Sequence, residues 1–369
     1  MNFSLKTAIS DCTSLDAFFE QWNVGDGDLI ISNEFLLMPA LDGKPAPCST
    51  IFQENFGFGE PSDEMVDSML AAVKGKEFSR IIAIGGGSVI DVAKLFVFGD
   101  GLSCEEIFAD GASLARKRKL VIVPTTCGTG SEVTCISIVE FIKKQTKLGL
   151  AVPAMFADEA VLIPALLDTL PYEVFATSSI DALIHAAESY VSPKANAFTK
   201  ALGRSAIEQI LSGYMELTSA NERGVLPSDM SAFLFASTMA GIAFGNAGVG
   251  TVHAMAYLIG GNYHVPHGKS NYLVFSEVFA KYKSLGADIS ELEAVLASCL
   301  KCPIESVWEE LPILLDKILT RQPLASLGAT EAKCAKMAGS VIQNQQRLLV
   351  NNPIKLSEED ILSIYLRCL

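Results

Sequence analysis

The stretch that decides the fold is residues 80–88, which read Arg-Ile-Ile-Ala-Ile-Gly-Gly-Gly-Ser. The strand-like run Arg80–Ile84 leads directly into a glycine-rich turn, and helical spacing follows over Val89–Phe96. Glycines at such a turn let the backbone approach a phosphate, and the helix N-terminus offers free N–H groups and a favourable dipole. The pattern is neither the G-x-G-x-x-G fingerprint nor a Walker loop, so alone it is equally typical of an ordinary strand-to-helix turn.

A second stretch of the same kind lies at residues 124–132, which read Pro-Thr-Thr-Cys-Gly-Thr-Gly-Ser-Glu. It follows the strand-like run Leu120–Val123 in the same way. Its hydroxyls and glycines could hydrogen-bond phosphates, ribose and the nicotinamide amide. Because open α/β sheets bind ligands outside the carboxyl ends of their strands, two such turns together predict a dinucleotide site.

The first half of the chain alternates strand-like and helical segments. Ser62 is a suitable N-cap for a helix that extends to Val73, and residues 132–140 and 147–152 predict a hairpin. Such alternation is typical of a mostly parallel sheet covered by helices. The further predicted strands are Asp28–Ser32, Ser49–Phe52, Lys119–Val123 and Ala160–Ile163, of which the last should close the domain.

Beyond Pro164 strand signals fade and helical periodicity dominates, beginning with Ile180–Val191. We therefore predict two domains, an α/β NAD(P)-binding domain at residues 1–165 and an all-helical metal-binding domain at residues 166–369. The longest uncharged stretch, residues 230–268, is interrupted by polar residues, glycines and histidines. It predicts buried helices of the second domain and not a membrane span.

The histidines predict a metal centre in that second domain. Asp181 and His185 are four residues apart on the predicted helix and can therefore point at a single atom. His253 lies on an apolar helical run, and His267 follows Pro266 at a predicted turn. Any one of these histidines could be an ordinary core residue. One carboxylate with three imidazoles, however, suits a divalent ion such as Fe(II) or Zn(II) and leaves room for a substrate oxygen.

The composition limits the classes of partner. A formal net charge of −14 argues against nucleic acid, because phosphate binding needs a basic surface. The nine cysteines form no secreted-type framework, so we expect reduced thiols and a cytoplasmic protein. No membrane partner is expected. The Cys299/Cys302 pair has no second pair beside it and is a weak candidate for redox or metal chemistry.

Taken together, these features resemble the iron-containing (group III) alcohol dehydrogenase family, and the resemblance covers essentially the whole chain. The order and spacing of the motifs carry it more than any single motif does. The matching stretches are residues 85–88 with Asp91 and Lys94, residues 124–134, residues 181–188, and His253 with residues 266–268. Within the family, residues 243–250 and 260–268 are most similar to members that act on 4-hydroxybutyrate.

The resemblance implies a dehydroquinate synthase-like fold, with an α/β N-terminal dinucleotide-binding domain and an all-α C-terminal domain. It implies four metal ligands: Asp181, His185, His253 and His267. It implies an NAD(P) site lined by Gly86, Gly87, Ser88, Thr125, Thr126 and Thr129, with Lys147 near the cofactor. The family metal is Fe(II), although the ligand set alone also suits Zn(II).

Two positions depart from the family pattern. Many members carry a histidine four residues after the ligand that matches His253, and here that residue is Tyr257, whose hydroxyl could replace it in a proton relay. NAD-preferring members often have an acidic residue after the first strand that bonds the ribose, and here it is Asn33. We expect NAD, with NADP as the lesser alternative.

The expected activity is reversible hydride transfer between NAD and a primary alcohol or aldehyde, with 4-hydroxybutyrate and succinate semialdehyde as the substrate pair. The alternative is an NAD-dependent dehydrogenase of another short alcohol or diol, such as 1,3-propanediol, butanol or glycerol. A lyase of the same architecture and a binding protein without turnover are further alternatives. A carboxylated substrate needs a cation or N–H donors, for which Lys269 and His264 are candidates. We expect a homodimer or larger homo-oligomer.

Overall fold

The structure, a computed structural model, describes residues 3–99, 101–144, 146–219 and 224–369. It divides into two compact units. One is Leu5–Leu170, and the other is Pro171–Leu369 together with Phe3 and Ser4. The first unit is α/β and the second is helical, which confirms the predicted fold class. The boundary expected near residue 165 stays a prediction; the division by contacts falls after Leu170.

The first unit is built around a parallel sheet. Its strands and helices, in chain order, are β1 (Ala8–Asp11), α1 (Leu15–Gln21), β2 (Asp28–Ser32), α2 (Glu34–Ala40), β3 (Ser49–Phe52), α3 (Asp63–Ala72), β4 (Arg80–Gly85), α4 (Gly87–Leu95), α5 (Cys104–Asp110), β5 (Lys119–Pro124), β6 (Ile136–Phe141), β7 (Thr146–Ala151) and β8 (Glu159–Leu162). Six of the strands form one sheet in the order β1-β8-β5-β4-β2-β3, with every pair parallel.

Helices cover both faces of this sheet, so the sequences of its central strands are continuous apolar runs. In β2, Leu29 and Ile31 belong to the hydrophobic cluster on one face, whereas Ile30 belongs to the cluster on the other. Ile81 and Ile82 of β4 divide between the two clusters in the same way. The alternation follows from the period of two along a strand, and burial of both faces is typical of parallel sheets.

The edges of the sheet differ from the sequence prediction. The segment Ala8–Asp11, which the sequence pattern did not reveal, pairs with β8 and forms one edge. The strand β8, expected to close the domain, is therefore internal. Most residues of β1 are exposed, so the segment lacks the apolar run that marks the central strands. The predicted hairpin forms as β6 and β7, a separate two-stranded sheet, whereas residues 131–133 form a short 3-10 turn.

The second unit consists of helices. In chain order they are α6 (Tyr172–Val191), α7 (Ala197–Ser219), α8 (Met230–Ala247), α9 (Thr251–Tyr263), α10 (His267–Ser284), α11 (Ser290–Leu300), α12 (Val307–Ile318), α13 (Glu331–Asn344), α14 (Gln346–Leu349) and α15 (Glu358–Arg367). The helix α6, which carries two predicted ligands, begins eight residues before the predicted start at Ile180. The turn predicted at His267 is wrong, because that residue is the first of α10, with Pro266 at the N-cap.

The helix α8 has the length and apolar composition of a membrane span. However, 61% of its residues are buried, and α8 packs against α6 and α7. A core helix of a globular domain can have the same length and composition. Its apolar residues accordingly face neighbouring helices, as the sequence predicted for residues 230–268.

Candidate metal centre

The helix α6 presents Asp181 and His185 on one face, as the four-residue spacing predicted. Both side chains are buried, with exposed fractions of 3% and 5%. The His185 ring stacks on Phe244 of α8, with ring centroids 4.3 Å apart. It also stacks on His253, at 4.7 Å. An apolar and an imidazole neighbour therefore fix the orientation of His185.

The helix α9 brings His253 to the same point. Its ring is held by Glu188, whose Oε2 lies 2.6 Å from His253 Nδ1 and whose Oε1 accepts the Val252 N–H at 2.7 Å. Gly250 precedes this helix, and a Cβ there would lie 2.5 Å from Asn352 Oδ1 and 3.3 Å from Glu188 Oε1. A side chain at this position would therefore displace Asn352 and crowd the carboxylate that orients His253.

The other nitrogen of the His253 ring is left unpaired. Among the residues that the structure describes, His253 Nε2 is buried and has no hydrogen-bond partner; its nearest carboxylate oxygen, Asp181 Oδ1, is 3.9 Å away. Because Glu188 accepts a hydrogen bond from the Nδ1–H of His253, the tautomer with its lone pair on Nε2 is favoured. An orphaned lone pair of this kind is costly in a protein interior unless something binds it.

The helix α10 contributes His267 from its first residue. Gly268 allows this helix end to approach α6, since a Cβ there would lie 2.5 Å from the Thr177 carbonyl oxygen. One turn later, Asn271 donates its Nδ2–H to Asp181 Oδ1 at 2.7 Å, and the same Nδ2 lies 3.2 Å from His267 Nε2. Asn271 therefore positions the carboxylate and the imidazole together.

We call the four residues Asp181, His185, His253 and His267 the metal cluster. Each offers one ligand atom, and these atoms lie within 4.8 Å of one another. The donor set, one carboxylate oxygen and three imidazole nitrogens, fits a divalent ion such as Fe(II) or Zn(II). The orphaned His253 Nε2 supports the same fit, because a bound ion would satisfy it.

The charge state of the metal cluster also favours a cation ligand. Burial alone would raise the pKa of Asp181, but His185, His267, His253 and the Asn271 amide together lower it below the ordinary value. Asp181 is therefore an anion at neutral pH and is ready to coordinate a cation.

Two residues that support the metal cluster were not assigned a role from the sequence, Glu188 and Asn271. Glu188 follows His185 by three residues on α6, and Asn271 follows His267 by four on α10. A polar residue on the same helical face as a predicted ligand is the signal that could have found them. Which ligand each one supports depends on helix packing, since Glu188 contacts a histidine 65 residues away.

The remaining candidates of the second unit lie around the metal cluster at different distances. The Tyr257 ring stacks on His267 at 5.7 Å, so it contacts the cluster directly. Lys269, a candidate for binding a substrate carboxylate, forms an ion pair with Glu173 at 3.7 Å. His264 is exposed and ends α9 in the left-handed conformation, with φ 53°.

In the first unit, the structure brings the two glycine-rich turns together. Gly86 is the N-cap of α4 and Gly87 its first residue, with Ser88 next. A Cβ on Gly86 would lie 3.1 Å from Thr126 Cγ2, and one on Gly87 would lie 2.8 Å from Thr129 Cγ2. The helix N-terminus therefore lies against the threonine side chains of the second turn, as predicted from the carboxyl ends of adjacent strands.

A buried polar group fixes the second turn, and we call it the lysine cluster: Lys94, Asp91, Ser131 and Thr134. Lys94 Nζ donates to Ser131 Oγ at 2.6 Å and to the Ile136 carbonyl at 2.6 Å, and it lies 3.3 Å from Thr134 Oγ1. Asp91 accepts from the Ser131 hydroxyl at 2.7 Å and the Ile138 N–H at 2.9 Å. The lysine cluster thereby ties α4 to the turn that carries the threonines.

The other cofactor candidates have protein partners. Asn33, the N-cap of α2, donates its Nδ2–H to Glu54 Oε2 at 3.0 Å, and the Glu34 N–H donates to Glu54 Oε1 at 2.6 Å. The Glu54 carboxylate therefore lies beside Asn33, although the residue directly after this strand is not acidic, and sequence reasoning missed Glu54. Lys147 forms an ion pair with Glu60.

Comparison with known proteins places this geometry in a family. The model of the Fe-containing alcohol dehydrogenase family, C-terminal, matches residues 175–369, and the model of iron-containing alcohol dehydrogenase matches residues 40–164. The chain is 46% identical over 353 residues to 4-hydroxybutyrate dehydrogenase of Clostridium kluyveri, covering 95% of each chain. It is 33% identical over 323 residues to long-chain-alcohol dehydrogenase 1 of Geobacillus thermodenitrificans, covering 83% of this chain and 79% of the relative.

Solved structures of the same family have the same fold as this chain. The iron-containing alcohol dehydrogenase from Thermococcus thioreducens is 27% identical, with a TM-score of 0.80 and coverage of 100% of this chain and 99% of that one. Sulfoacetaldehyde reductase from Bifidobacterium kashiwanohense, solved with NAD+, shares the fold at 20% identity, with a TM-score of 0.84 and coverage of 99% and 98%. The family and the fold expected from the sequence are confirmed: the chain belongs to the iron-containing alcohol dehydrogenase family of oxidoreductases.

Proposed function

We propose that this protein transfers a hydride between NAD and the primary alcohol 4-hydroxybutyrate, or in reverse between NADH and succinate semialdehyde. The observation that carries the proposal is the buried metal cluster, in which the orphaned His253 Nε2 needs a ligand. The 46% identity to the Clostridium kluyveri 4-hydroxybutyrate dehydrogenase, over 95% of both chains, supports this substrate pair.

The metal cluster residues would hold Fe(II), the family metal, and the donor set also suits Zn(II). Such an ion, when bound, polarises an alcohol or aldehyde oxygen as a Lewis acid. The chain's own residues prepare the site. Glu188 holds the Nδ1 proton of His253, which keeps Nε2 free to coordinate, and Asn271 fixes the Asp181 carboxylate. Tyr257, stacked on His267, offers a hydroxyl for moving the alcohol proton toward solvent.

We assign NAD binding to residues 1–165 and metal binding to residues 166–369. The α4 N-terminus would bind the cofactor phosphates through backbone N–H groups, with the threonines of the second turn beside it. The candidate contacts are Gly86, Gly87, Ser88, Thr125, Thr126 and Thr129. A role for Lys147 requires that its ion pair with Glu60 open.

The preference for NAD over NADP rests on Glu54 together with Asn33. The Glu54 carboxylate hydrogen-bonds the Asn33 side chain at the carboxyl end of β2, next in the sheet to the strand that leads into Gly86. In dinucleotide-binding sheets an acidic group in this region bonds the ribose hydroxyls. A carboxylate there would also repel the additional phosphate of NADP.

The alternative is a dehydrogenase of another short alcohol or diol on the same fold. It is favoured by the 33% identity to a long-chain-alcohol dehydrogenase and by the fold shared with a 1,3-propanediol oxidoreductase. The two possibilities differ in one chemical respect, because only 4-hydroxybutyrate and succinate semialdehyde carry a terminal carboxylate.

The deciding experiment measures NADH oxidation by anaerobically purified, Fe(II)-loaded protein with succinate semialdehyde and with butyraldehyde, a matched aldehyde without the carboxylate. We expect kcat/KM to be larger for succinate semialdehyde by at least about 30-fold, the size of a charge-assisted contact. Equal values would favour the alternative. No turnover of any aldehyde by metal-replete protein would contradict both.

We also propose that the protein is a cytoplasmic homo-oligomer, at least a dimer. All nine cysteines are free thiols, as expected in a reducing compartment. Large apolar side chains are exposed on the first unit, among them Phe35 at 73% and Phe58 at 89%, and such side chains are commonly covered by a second subunit. Light scattering coupled to size-exclusion chromatography should give a molar mass of at least twice the 39.5 kDa of one chain.

A further inference from the structure

An exposed arginine lies one aromatic ring away from the metal cluster. The Arg347 guanidinium, on the short helix α14, is 5.7 Å from the centroid of the Tyr257 ring. The same ring stacks on the cluster residue His267, whose ring centroid is 5.7 Å from that of Tyr257 at an interplanar angle of 29°. Tyr257 therefore links the guanidinium to the metal cluster by two ring contacts.

The backbone that carries Arg347 is held in place by its neighbours. Leu348 is buried, and Asn351 donates its Nδ2–H to the Val249 carbonyl at 2.9 Å, just before α9 begins. Asn352 accepts the Tyr282 hydroxyl proton at 2.8 Å. These contacts attach the segment after α14 to α10 and to the start of α9, the two helices that supply His267 and His253. The guanidinium thus extends from a fixed position.

Arg347 also differs from the other cation near the metal cluster in what it binds. Lys269 is paired with Glu173 at 3.7 Å. For Arg347, by contrast, the described part of the chain supplies the Tyr257 ring and no carboxylate partner. A ring face leaves the planar N–H fork of a guanidinium free for an anion, and the geometry of that fork matches a carboxylate with two parallel hydrogen bonds.

We propose that Arg347 binds the terminal carboxylate of the substrate and thereby selects short ω-hydroxy acids and their semialdehydes. This inference rests on the proposed function. A four-carbon ω-hydroxy acid in its extended form spans about 5 Å from the hydroxyl oxygen to the carboxylate carbon, which are separated by four bonds of about 1.5 Å. With the alcohol or aldehyde oxygen at the metal cluster, that length carries the carboxylate past the Tyr257 ring toward Arg347, since the same ring contacts both His267 and Arg347.

The test compares Arg347→Met with the parent protein on two aldehydes and in one binding measurement. We expect kcat/KM for succinate semialdehyde to fall about 30- to 300-fold, mainly through KM, because a charge-assisted contact to the bound substrate is lost. For butyraldehyde kcat/KM should stay within about threefold. Calorimetric titration with succinate, a carboxylate that undergoes no turnover, should show a matching increase in Kd. Arg347→Lys keeps the charge and loses the planar N–H fork. Its kcat/KM for succinate semialdehyde should therefore lie between those of the parent protein and Arg347→Met.

Two control variants separate this role from others. Lys333→Met removes a cation that lies 5.7 Å from the centroid of the Tyr263 ring. It should leave kcat/KM for both aldehydes unchanged. Lys269→Met tests the other cation near the metal cluster. A selective loss in Lys269→Met but not in Arg347→Met would overturn the assignment, as would an equal loss on both aldehydes in Arg347→Met.

The same data distinguish failure of this inference from failure of the proposed function. A parent protein that prefers succinate semialdehyde, and keeps that preference in Arg347→Met, would refute the role of Arg347 and leave the proposed function standing. A parent protein without that preference would refute the 4-hydroxybutyrate proposal and the role of Arg347 together.

Discussion

The metal cluster and the lysine cluster are both largely buried groups of polar residues, yet they differ in how many of their polar atoms have hydrogen-bond partners within the protein. Lys94 has three N–H donors, and Ser131, Thr134 and the Ile136 carbonyl oxygen lie close enough to accept all of them. In the metal cluster, His253 Nε2 has no partner within the described residues. A closed hydrogen-bond network holds two segments together, whereas an orphaned lone pair indicates a missing ligand.

The two clusters also differ in how far their own residues balance their charges. Burial lowers the pKa of Lys94 and raises that of Asp91, so both groups bear the desolvation cost of the interior and offset it with each other. At Asp181 the neighbouring imidazoles and Asn271 outweigh burial and lower the pKa. The metal cluster thus places a carboxylate anion among three imidazoles, which suits a cation from outside the chain.

The largest effect should come from removing the orphaned lone pair itself. In His253→Ala we expect bound metal to fall to less than about a tenth of the parent content and turnover to fall at least about a thousandfold, because the remaining donors no longer enclose the ion. Plasma mass spectrometry of the purified protein measures the metal. Added Fe(II) or Zn(II) should raise the Tm of the parent protein and not that of the variant.

The matched control for this change is His264→Ala, which removes an exposed histidine that lies outside the metal cluster. It should retain metal and turnover. A metal-replete, active His253→Ala would show that the orphaned nitrogen is not a ligand, and the contrast between the two clusters would lose its functional meaning.

A substitution in the lysine cluster should lower the stability of the fold and leave metal binding unchanged. Lys94→Met leaves Asp91 buried without its counter-charge, so we expect the free energy of unfolding to fall by about 3 to 5 kcal/mol, as for other broken buried pairs. Urea titration followed by circular dichroism measures it, and metal content of the folded fraction should not change. Lys144→Met, which removes a half-exposed partner of Glu105, should cost less than about 1 kcal/mol. Similar losses in both variants would contradict a closed buried network.

A third change sharpens the role of the residue that orients the orphaned nitrogen. Glu188→Gln removes the charge that holds the Nδ1 proton of His253, so we expect metal affinity to fall about 10- to 100-fold, as for other residues behind a metal-ligating histidine. Competition with a chelator of known affinity measures it. Glu293→Gln is the control, since Glu293 is also buried but accepts from Trp308 Nε1 at 2.7 Å. Unchanged metal affinity in Glu188→Gln would show that Glu188 does not support metal binding through His253.

The smallest effect is expected at Glu54, a half-buried carboxylate that is satisfied by Asn33 and by the Glu34 N–H. Glu54→Gln should reduce the ratio of kcat/KM with NADH to that with NADPH by about tenfold, since one unfavourable charge is removed beside the expected ribose. Glu60→Gln, which breaks the ion pair with Lys147, tests whether the effect is specific to Glu54. An unchanged ratio in Glu54→Gln would mean that cofactor choice lies elsewhere.

Local spacing made part of this structure predictable from the sequence. Asp181 and His185 share a helix face because α-helices repeat every 3.6 residues. The glycines after β4 predicted a strand-to-helix turn because few other residues allow such close approach, and Thr126 and Thr129 do pack against them. The segment β1 was missed because an exposed edge strand carries little apolar pattern, and the start of α10 was predicted as a turn because Pro266 and Gly268 are typical of one.

The sequence by itself therefore determined the two kinds of domain, the pair of ligands on α6 and the candidate cofactor turns, since each depends on residues close together in the chain. Only the tertiary structure decided that Glu188 holds His253, that Asn271 holds Asp181, that Glu54 stands beside Asn33 and that Arg347 lies against Tyr257. These partners are 21 to 90 residues apart. Helix and strand packing brings such residues together, and no local periodicity encodes which of them will meet.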